Sequence, residues 1–419
     1  MQHDTAPPAK PDIGFREFVA LCAALMSMNA LSIDPMLPAL PDIGRALAIA
    51  NPNDRQLIIT VYFAALGVGS LLFGLLSDRY GRKAVLAPAM VCFMVATVGC
   101  ALAQSFTMLL VSRAGAGFFA AASRIVTVGI VRDRFRGDAM ARVMSLIFST
   151  FIIVPVLAPS FGQAILWVAP WRWIFGALAL LAGGIAGWML LRMPETLHRH
   201  NRLPISLGAV RGTISTIVLT RSSIGYMVAS GIVMSGLVGF ILSVQQIFFD
   251  IFDAARIFPL AFAAIAASMG VGSLVNGRLV SRFGARRMSH AALVALMLVS
   301  GMHVLVATRG WETLASFILL QSATMLCIAF TFSNFSSISL EPFAKGAGVA
   351  SSFQAFFSTL MSSLLGGAIG QAFNDTTIPM ALGTLLCGAA ALAIILWAER
   401  GRLFTRPGLA SAREPVPPA

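Results

Sequence analysis

Charge is scarce in this chain. Asp, Glu, Lys and Arg make up 11% of its 419 residues, and acids are the scarcer sign, 17 against 30 bases. Soluble globular domains carry about 25% charged residues. A chain that is 58% hydrophobic, with mean hydropathy +0.84, is therefore not one of them. Histidine and cysteine are also thin, five of each. Cys22, Cys92, Cys100, Cys327 and Cys387 all fall in apolar runs, with no CxxC or metal-type spacing, and read as small core residues. His3, His198, His200, His290 and His303 are scattered, and there is no HExxH, GxSxG or Walker-type loop. These absences argue against a membrane enzyme, and neither a metal nor a cofactor is expected.

What is present is a succession of long apolar runs. Windows of about 20 residues, set against a hydrocarbon core about 30 Å thick, give twelve candidate spans: 18–37, 57–76, 84–103, 106–131, 143–166, 174–191, 224–248, 257–279, 291–307, 314–335, 349–373 and 379–397. The fold class expected is all-α integral membrane, in two six-helix halves around a central cavity. The first run is too long, and its end too acidic and proline-rich, for a cleaved signal peptide. It is expected to remain as the first helix.

The formal charge of +13 invites a nucleic-acid reading, and its distribution removes it. With the N-terminus inside, most Lys and Arg fall in cytoplasmic segments. External loops hold only Arg45, Arg55, Arg172, Arg256 and Arg309, while Arg113 and Arg124 lie within the fourth span. This is the positive-inside bias. It puts both termini in the cytoplasm and leaves no basic stripe for DNA.

Six spans precede a polar, basic stretch and six follow it. The division is a tail at 1–17, a first half at 18–191, a linker at 192–223, a second half at 224–399 and a tail at 400–419. Between the second and third spans runs Gly74-Leu-Leu-Ser-Asp78-Arg79-Tyr80-Gly81-Arg82-Lys83. Its glycines allow a tight turn and close helix contact, and Asp78, Arg79, Arg82 and Lys83 put one acid and three bases at the membrane surface. Aligning Gly74 with Gly277 lays 277–287 over this loop: the glycines and two bases match, Asp78 becomes Ser281 and Arg82 becomes Ala285. Gly162-Gln163-Ala164 is echoed in the same way by Gly370-Gln371-Ala372.

The pattern G-x-x-x-D-R-x-G-R-[KR] resembles the cytoplasmic signature of the major facilitator superfamily, whose plan is two six-helix repeats around a midplane site. The resemblance implies a cytoplasmic gate made of Gly74, Asp78, Arg79, Gly81, Arg82 and Lys83 with Asp133 at the foot of the fourth helix. Asp78 would also face the N-terminal end of the eleventh helix, a contact the helix dipole favours.

Ionisable side chains inside the bilayer cost ~2.5–3.5 kcal/mol each on insertion scales. Three need a reason: Asp34, Arg113 and Arg124. Asp34 is the only carboxylate well inside a span. It either takes up and releases a proton as its surroundings change, or caps and bends the helix beside Pro35. At ~100° per residue, Arg113 and Arg124 fall on nearly one helical face, ~16 Å apart. That face points into the cavity, with snorkelling toward the cytoplasm as the alternative for Arg124. In the fifth span, Pro155, Ala158, Pro159 and Gly162 resemble the antiporter motif, and the prolines bend the helix. Together with Ser32-Ile-Asp34, Leu37-Pro38-Ala-Leu-Pro41, Arg113 and Arg132-Asp133, they resemble the Bcr/CflA-type drug:proton antiporters. In that branch the acid matching Asp34 is implied in coupling, here with Arg113. A second acid known in the first helix of related exporters has no counterpart between Cys22 and Asn29.

Met and Phe, 20 and 30 in number, supply adaptable apolar contact. Those near polar residues within spans are the candidate cavity lining: Met28, Asn29, Asp34, Met36, Tyr62, Arg113, Phe118, Arg124, Phe151, Gln245, Gln246, Asn334, Phe335, Gln354 and Phe357. The function expected is proton-coupled export of drugs or other small amphipathic compounds across a bacterial inner membrane by alternating access. Transport of an organic-anion metabolite on the same fold is the alternative, because two arginines suit a carboxylate. Expected partners are substrate, protons and lipid, with the protein acting as a monomer.

Overall fold

The computed structural model describes residues 13–198, 202, 207–343 and 347–404. The outer parts of both predicted tails and part of the linker lie outside them. Backbone groups cannot hydrogen-bond to lipid, so apolar runs of this length satisfy them internally as helices. The helices are α1 (Phe15–Leu31), α2 (Leu40–Ala46), α3 (Leu57–Tyr80), α4 (Arg82–Ala101), α5 (Phe106–Arg134), α6 (Gly137–Val168), α7 (Arg172–Arg192), α8 (Leu207–Leu219), α9 (Arg221–Gln246), α10 (Phe258–Phe283), α11 (Ala285–Thr308), α12 (Leu314–Leu340), α13 (Ala347–Gln371) and α14 (Ile378–Ala398). Among the described residues there is no strand.

Eleven helical stretches are long and apolar enough to cross a membrane. The twelfth is α6, a 32-residue helix that carries Pro155 and Pro159 inside it. The linker is not wholly irregular, since α8 forms a 13-residue helix packed on α9 and α13.

The first span is not one helix. After Leu31 the chain tightens into a 3-10 segment, Asp34–Ala39, and resumes as α2. Pro35, Pro38 and Pro41 each lack an N–H donor, so the α-helical ladder cannot run through them. Asp34 opens this segment and is not on α1 itself.

The halves repeat one another in packing. In the first half α3 meets α5, α4 meets α5 and α7, and α1 meets α6; the second half matches these with α10 on α12, α11 on α12 and α14, and α9 on α13. Between halves the main contacts are α3 with α13 and α6 with α10. The α3–α13 seam is closed along its length by small residues. A Cβ at Gly74 would come 2.2 Å from Ser352 Oγ, and one at Gly67 would come 3.1 Å from the Leu360 backbone nitrogen. Further along, Ser363 Oγ donates to the Thr60 carbonyl at 2.8 Å.

Candidate functional site

Asp34 is 5% exposed and has no ion-pair partner among the described residues. Its segment is held from two sides. Gly162 of α6 presses against it so closely that a Cβ there would come 1.8 Å from the Pro35 carbonyl oxygen. Arg113, 1% exposed on α5, donates from Nη1 to the Ser32 carbonyl at 3.0 Å and from Nε to the Ile58 carbonyl at 3.2 Å. Ser32 is the residue that ends α1, where carbonyls lack helical partners and the dipole is negative. The guanidinium thus ties down the broken end of α1 instead of pairing with the carboxylate. Its planar face lies 4.3 Å from the Tyr62 ring centroid, and Tyr62 is within electrostatic reach of both Arg113 and Asp34.

Arg124 lies on the same stripe of α5 as Arg113, Gly117 and Ala120. Those three are buried, yet Arg124 is exposed. At the residue just before it, Asn29 Nδ2 donates to Ser123 Oγ at 3.3 Å. Several buried polar atoms of the interior find no protein partner: Asn29 Oδ1, Arg113 Nη2, Gln245 Nε2 and Gln354 Oε1. An unmet buried group costs about 1–3 kcal/mol, so each of these atoms, drawn from both halves, would gain from a polar partner.

The remaining predicted lining residues are engaged elsewhere. Phe118 packs on Phe73 and Phe119, with centroids 5.4 and 5.2 Å away. Asn334 exchanges hydrogen bonds with Asn276 across the α10–α12 contact, at 2.8 and 3.4 Å. Phe335 is fully buried against Tyr226, and Phe357 stacks on Phe353 beside α8. Met28 and Met36 are buried in the core. Gln246 is taken up by contacts between the halves, described below. Phe151 lies in a turn of α6 whose side chains fall outside the described residues.

The residues of the predicted gate are brought together. Arg82 is nearly buried and joins three partners: Nη1 donates to Asp78 Oδ1 at 2.5 Å and to Ser77 Oγ at 2.9 Å, while Nε donates to Asp133 Oδ2 at 2.8 Å. Asp78 Oδ2 and Arg132 Nη1 each lie 3.5 Å from the Cβ position of Gly348, in the first turn of α13. The acid therefore reaches the other half at a helix N-terminus, where a negative charge is favoured. Lys83 Nζ donates to the Leu190 and Met193 carbonyls at the end of α7, at 2.7 and 2.8 Å. Arg79 stays exposed, against its neighbour Tyr80. Gly81 has φ +109° and ψ 155°, a conformation in which a side chain is strained.

One residue of this cluster is missed by sequence reasoning. Glu195 accepts from the backbone N–H groups of Arg82 and Lys83 at 2.8 and 3.1 Å, capping the start of α4. The available signal was an acid in Met193-Pro194-Glu195-Thr196, directly after a span in an otherwise basic stretch. Among the described residues no group of three or more His, Cys, Asp or Glu is placed to hold a metal.

Comparison with known proteins agrees with this geometry. The multidrug resistance protein MdtL of Escherichia coli (strain K12) is 28% identical over 394 residues, covering 92% of this chain and 96% of that protein. The bicyclomycin resistance protein homolog of Haemophilus influenzae is 26% identical over 375 residues, covering 87% and 91%. A solved bacterial homolog of the human lysosomal transporter Spinster shares the fold, with TM-score 0.70 over 92% of this chain and 96% of that one at 14% identity. The names of the first two fit the resemblance to Bcr/CflA-type drug exporters carried by Asp34, Arg113 and the α6 prolines. A family model described as the Major Facilitator Superfamily matches residues 19–367, and the chain belongs to that superfamily of membrane transporters.

Proposed function

We propose that this protein is a proton-coupled antiporter of the bacterial inner membrane, with both termini cytoplasmic, that exports drugs or other small amphipathic compounds as a monomer. The observation that carries the reading is Asp34: a buried carboxylate without a cation partner among the described residues, in a helix break tied down by Arg113 and by the close approach of Gly162. A carboxylate so enclosed responds strongly to any change in hydration or neighbouring charge. Rocking of one half against the other about the α3–α13 and α6–α10 contacts would supply that change. Arg113 acts here as a positioning residue. The unmet amide atoms of Asn29, Gln245 and Gln354 would take up the polar part of a substrate, and the apolar surroundings the rest.

The test is transport of a fluorescent lipophilic cation and of a neutral antibiotic in proteoliposomes with an imposed pH gradient. Asp34→Asn is expected to lose gradient-driven export by at least about tenfold, equivalent to about 1.4 kcal/mol, with the amount of inserted protein unchanged. Undiminished export by this variant sinks Asp34 as the coupling site.

Arg124 favours a second reading, in which the substrate is an organic anion. It is an exposed cation on the stripe of α5 whose other members, Arg113, Gly117 and Ala120, are buried. Competition by organic anions, abolished in Arg124→Gln, supports that reading; broad protection against uncharged and cationic drugs supports the first.

A further inference from the structure

The end of the molecule opposite the 74–83 loop carries a second cross-half contact made of amides. Asn53 and Gln56 belong to the short 3-10 turn Pro52–Gln56 that leads into α3, whereas Gln246 ends α9 and Gln371 ends α13. Asn53 Nδ2 donates to the carbonyls of Gln371 and Phe373 at 3.1 and 2.9 Å. Gln371 Nε2 returns a bond to the Asn53 carbonyl at 2.8 Å. Gln246 Nε2 donates to Asn53 Oδ1 at 2.8 Å, and Gln56 Nε2 donates to Gln246 Oε1 at 2.5 Å. Each of these five bonds joins one half to the other. Gly370 permits the approach, because a Cβ there would come 2.2 Å from Gln56 Oε1.

We infer that Asn53, Gln56, Gln246 and Gln371 form the gate on the external face, an uncharged counterpart to the ionic contact of Asp78 with α13. The two contacts cap the ends of one seam, α3 against α13, with Asp78 at Gly348 and Asn53 at Gln371. A path through the middle can open to one side only if the contact at that side parts. Primary amides suit a contact that must part repeatedly. Each donor and acceptor released can bond to water, and no isolated charge is left behind. The main-chain acceptors at Gln371 and Phe373 lie at the C-terminal end of α13, where carbonyls have no helical partner and remain available for re-closure.

This inference rests on the alternating-access reading and its sidedness, and two measurements separate its failure from theirs. In the first, Thr60→Cys places a thiol in the seam one turn inside the contact. Cells expressing it, with the parent chain as control, are treated from outside with a membrane-impermeant maleimide. Asn53→Ala with Gln371→Ala is expected to raise the labelling rate at least threefold. An unchanged rate overturns the gate, and this readout involves neither substrate nor proton.

In the second measurement, Asn53→Cys and Gln371→Cys are oxidised to a disulfide in proteoliposomes, and transport of a fluorescent lipophilic cation is followed before and after reductant. Cross-linking is expected to lower transport at least tenfold, with recovery on reduction, which also controls for folding. Transport by the cross-linked protein at more than half the reduced rate overturns the gate. If labelling rises and the disulfide blocks transport while Asp34→Asn transports normally, the gate stands and the coupling assignment falls.

Discussion

At 74–83 the chain turns through Gly81 with an acid and three bases on the turn; at 277–287 it turns through Gly284, φ +84°, with bases alone. Both turns are buttressed from equivalent places. In the first half the partners are Asp133 at the foot of α5 and Glu195 after α7. In the second, Arg286 meets Glu341 at the foot of α12 at 3.1 Å and Glu399 after α14 at 3.0 Å. Tyr226 donates to Glu399 at 2.8 Å and also contacts His290 at 2.8 Å, and His290 Nδ1 accepts the backbone N–H of Phe404 at 3.0 Å. All of these second-half contacts stay within that half. In the first half Asp78, with Arg132 beside it, reaches across to α13. Ser281 instead bonds back to its own helix at Arg278. The duplicated turn is thus a helix-joining device in both halves, and in one of them it also touches the other half.

The largest expected effect that tests this contrast is on Asp78. Asp78→Asn keeps the size of the side chain but removes the charge that meets both Arg82 and the start of α13. Transport is expected to fall at least about tenfold, equivalent to about 1.4 kcal/mol. Ser281→Asp alone should leave transport within about twofold of wild type on the same scale. Full recovery in Asp78→Asn with Ser281→Asp would break the comparison, since the second turn would then serve as a gate.

Next comes the turn itself. Gly81→Ala forces a side chain into a glycine conformation at a cost of about 1–3 kcal/mol, and its Cβ would also sit 2.7 Å from Glu195 Oε2. Gly284→Ala carries the conformational cost. Both should lower the thermal unfolding midpoint of the purified protein, Gly81→Ala by more. Equal shifts would mean that Glu195 yields freely.

The smallest effect expected is on the buttresses. Glu195→Ala removes the acceptor at the start of α4, about 1 kcal/mol by analogy with other helix caps. Glu399→Ala leaves Tyr226 and Arg286 short of an acceptor, about 1–3 kcal/mol. Both should show as reduced thermal stability, with transport per folded molecule reduced only by Glu195→Ala, because its cap holds the gate arginine. A transport defect in Glu399→Ala larger than that of Glu195→Ala would reverse the ranking of the two turns.

Much of this was legible beforehand. The apolar runs specify the helices because lipid offers no alternative for the backbone. The charge cluster was readable because a charge at a membrane helix end must be paired or solvated, and the spacing of Asp78, Arg82 and Asp133 leaves few ways to pair them. The echoed Gly-Gln-Ala also has its reason: Gly162 admits Pro35, and Gly370 admits Gln56. Less was legible where a residue's role depends on a partner far along the chain. Gln246 read as cavity lining and Asn334 likewise, yet one belongs to a contact between halves and the other to a helix pair. Asn53 is an isolated amide near a helix end and carries no pattern, and the echo that contains Gln371 gives no sign of its partner in the other half.

By itself, the sequence determined the class, the number of spans, the doubled plan and the three intramembrane charges. Each of these follows from local composition against a fixed bilayer thickness, or from charge that burial penalises. Only the tertiary structure decided that Arg113 binds the broken end of α1 and not Asp34, that Glu195 caps the start of α4, and that the α3–α13 seam ends in ions on one side and amides on the other. Those are choices among partners distant in the chain, made by packing, and no spacing along a single helix encodes them.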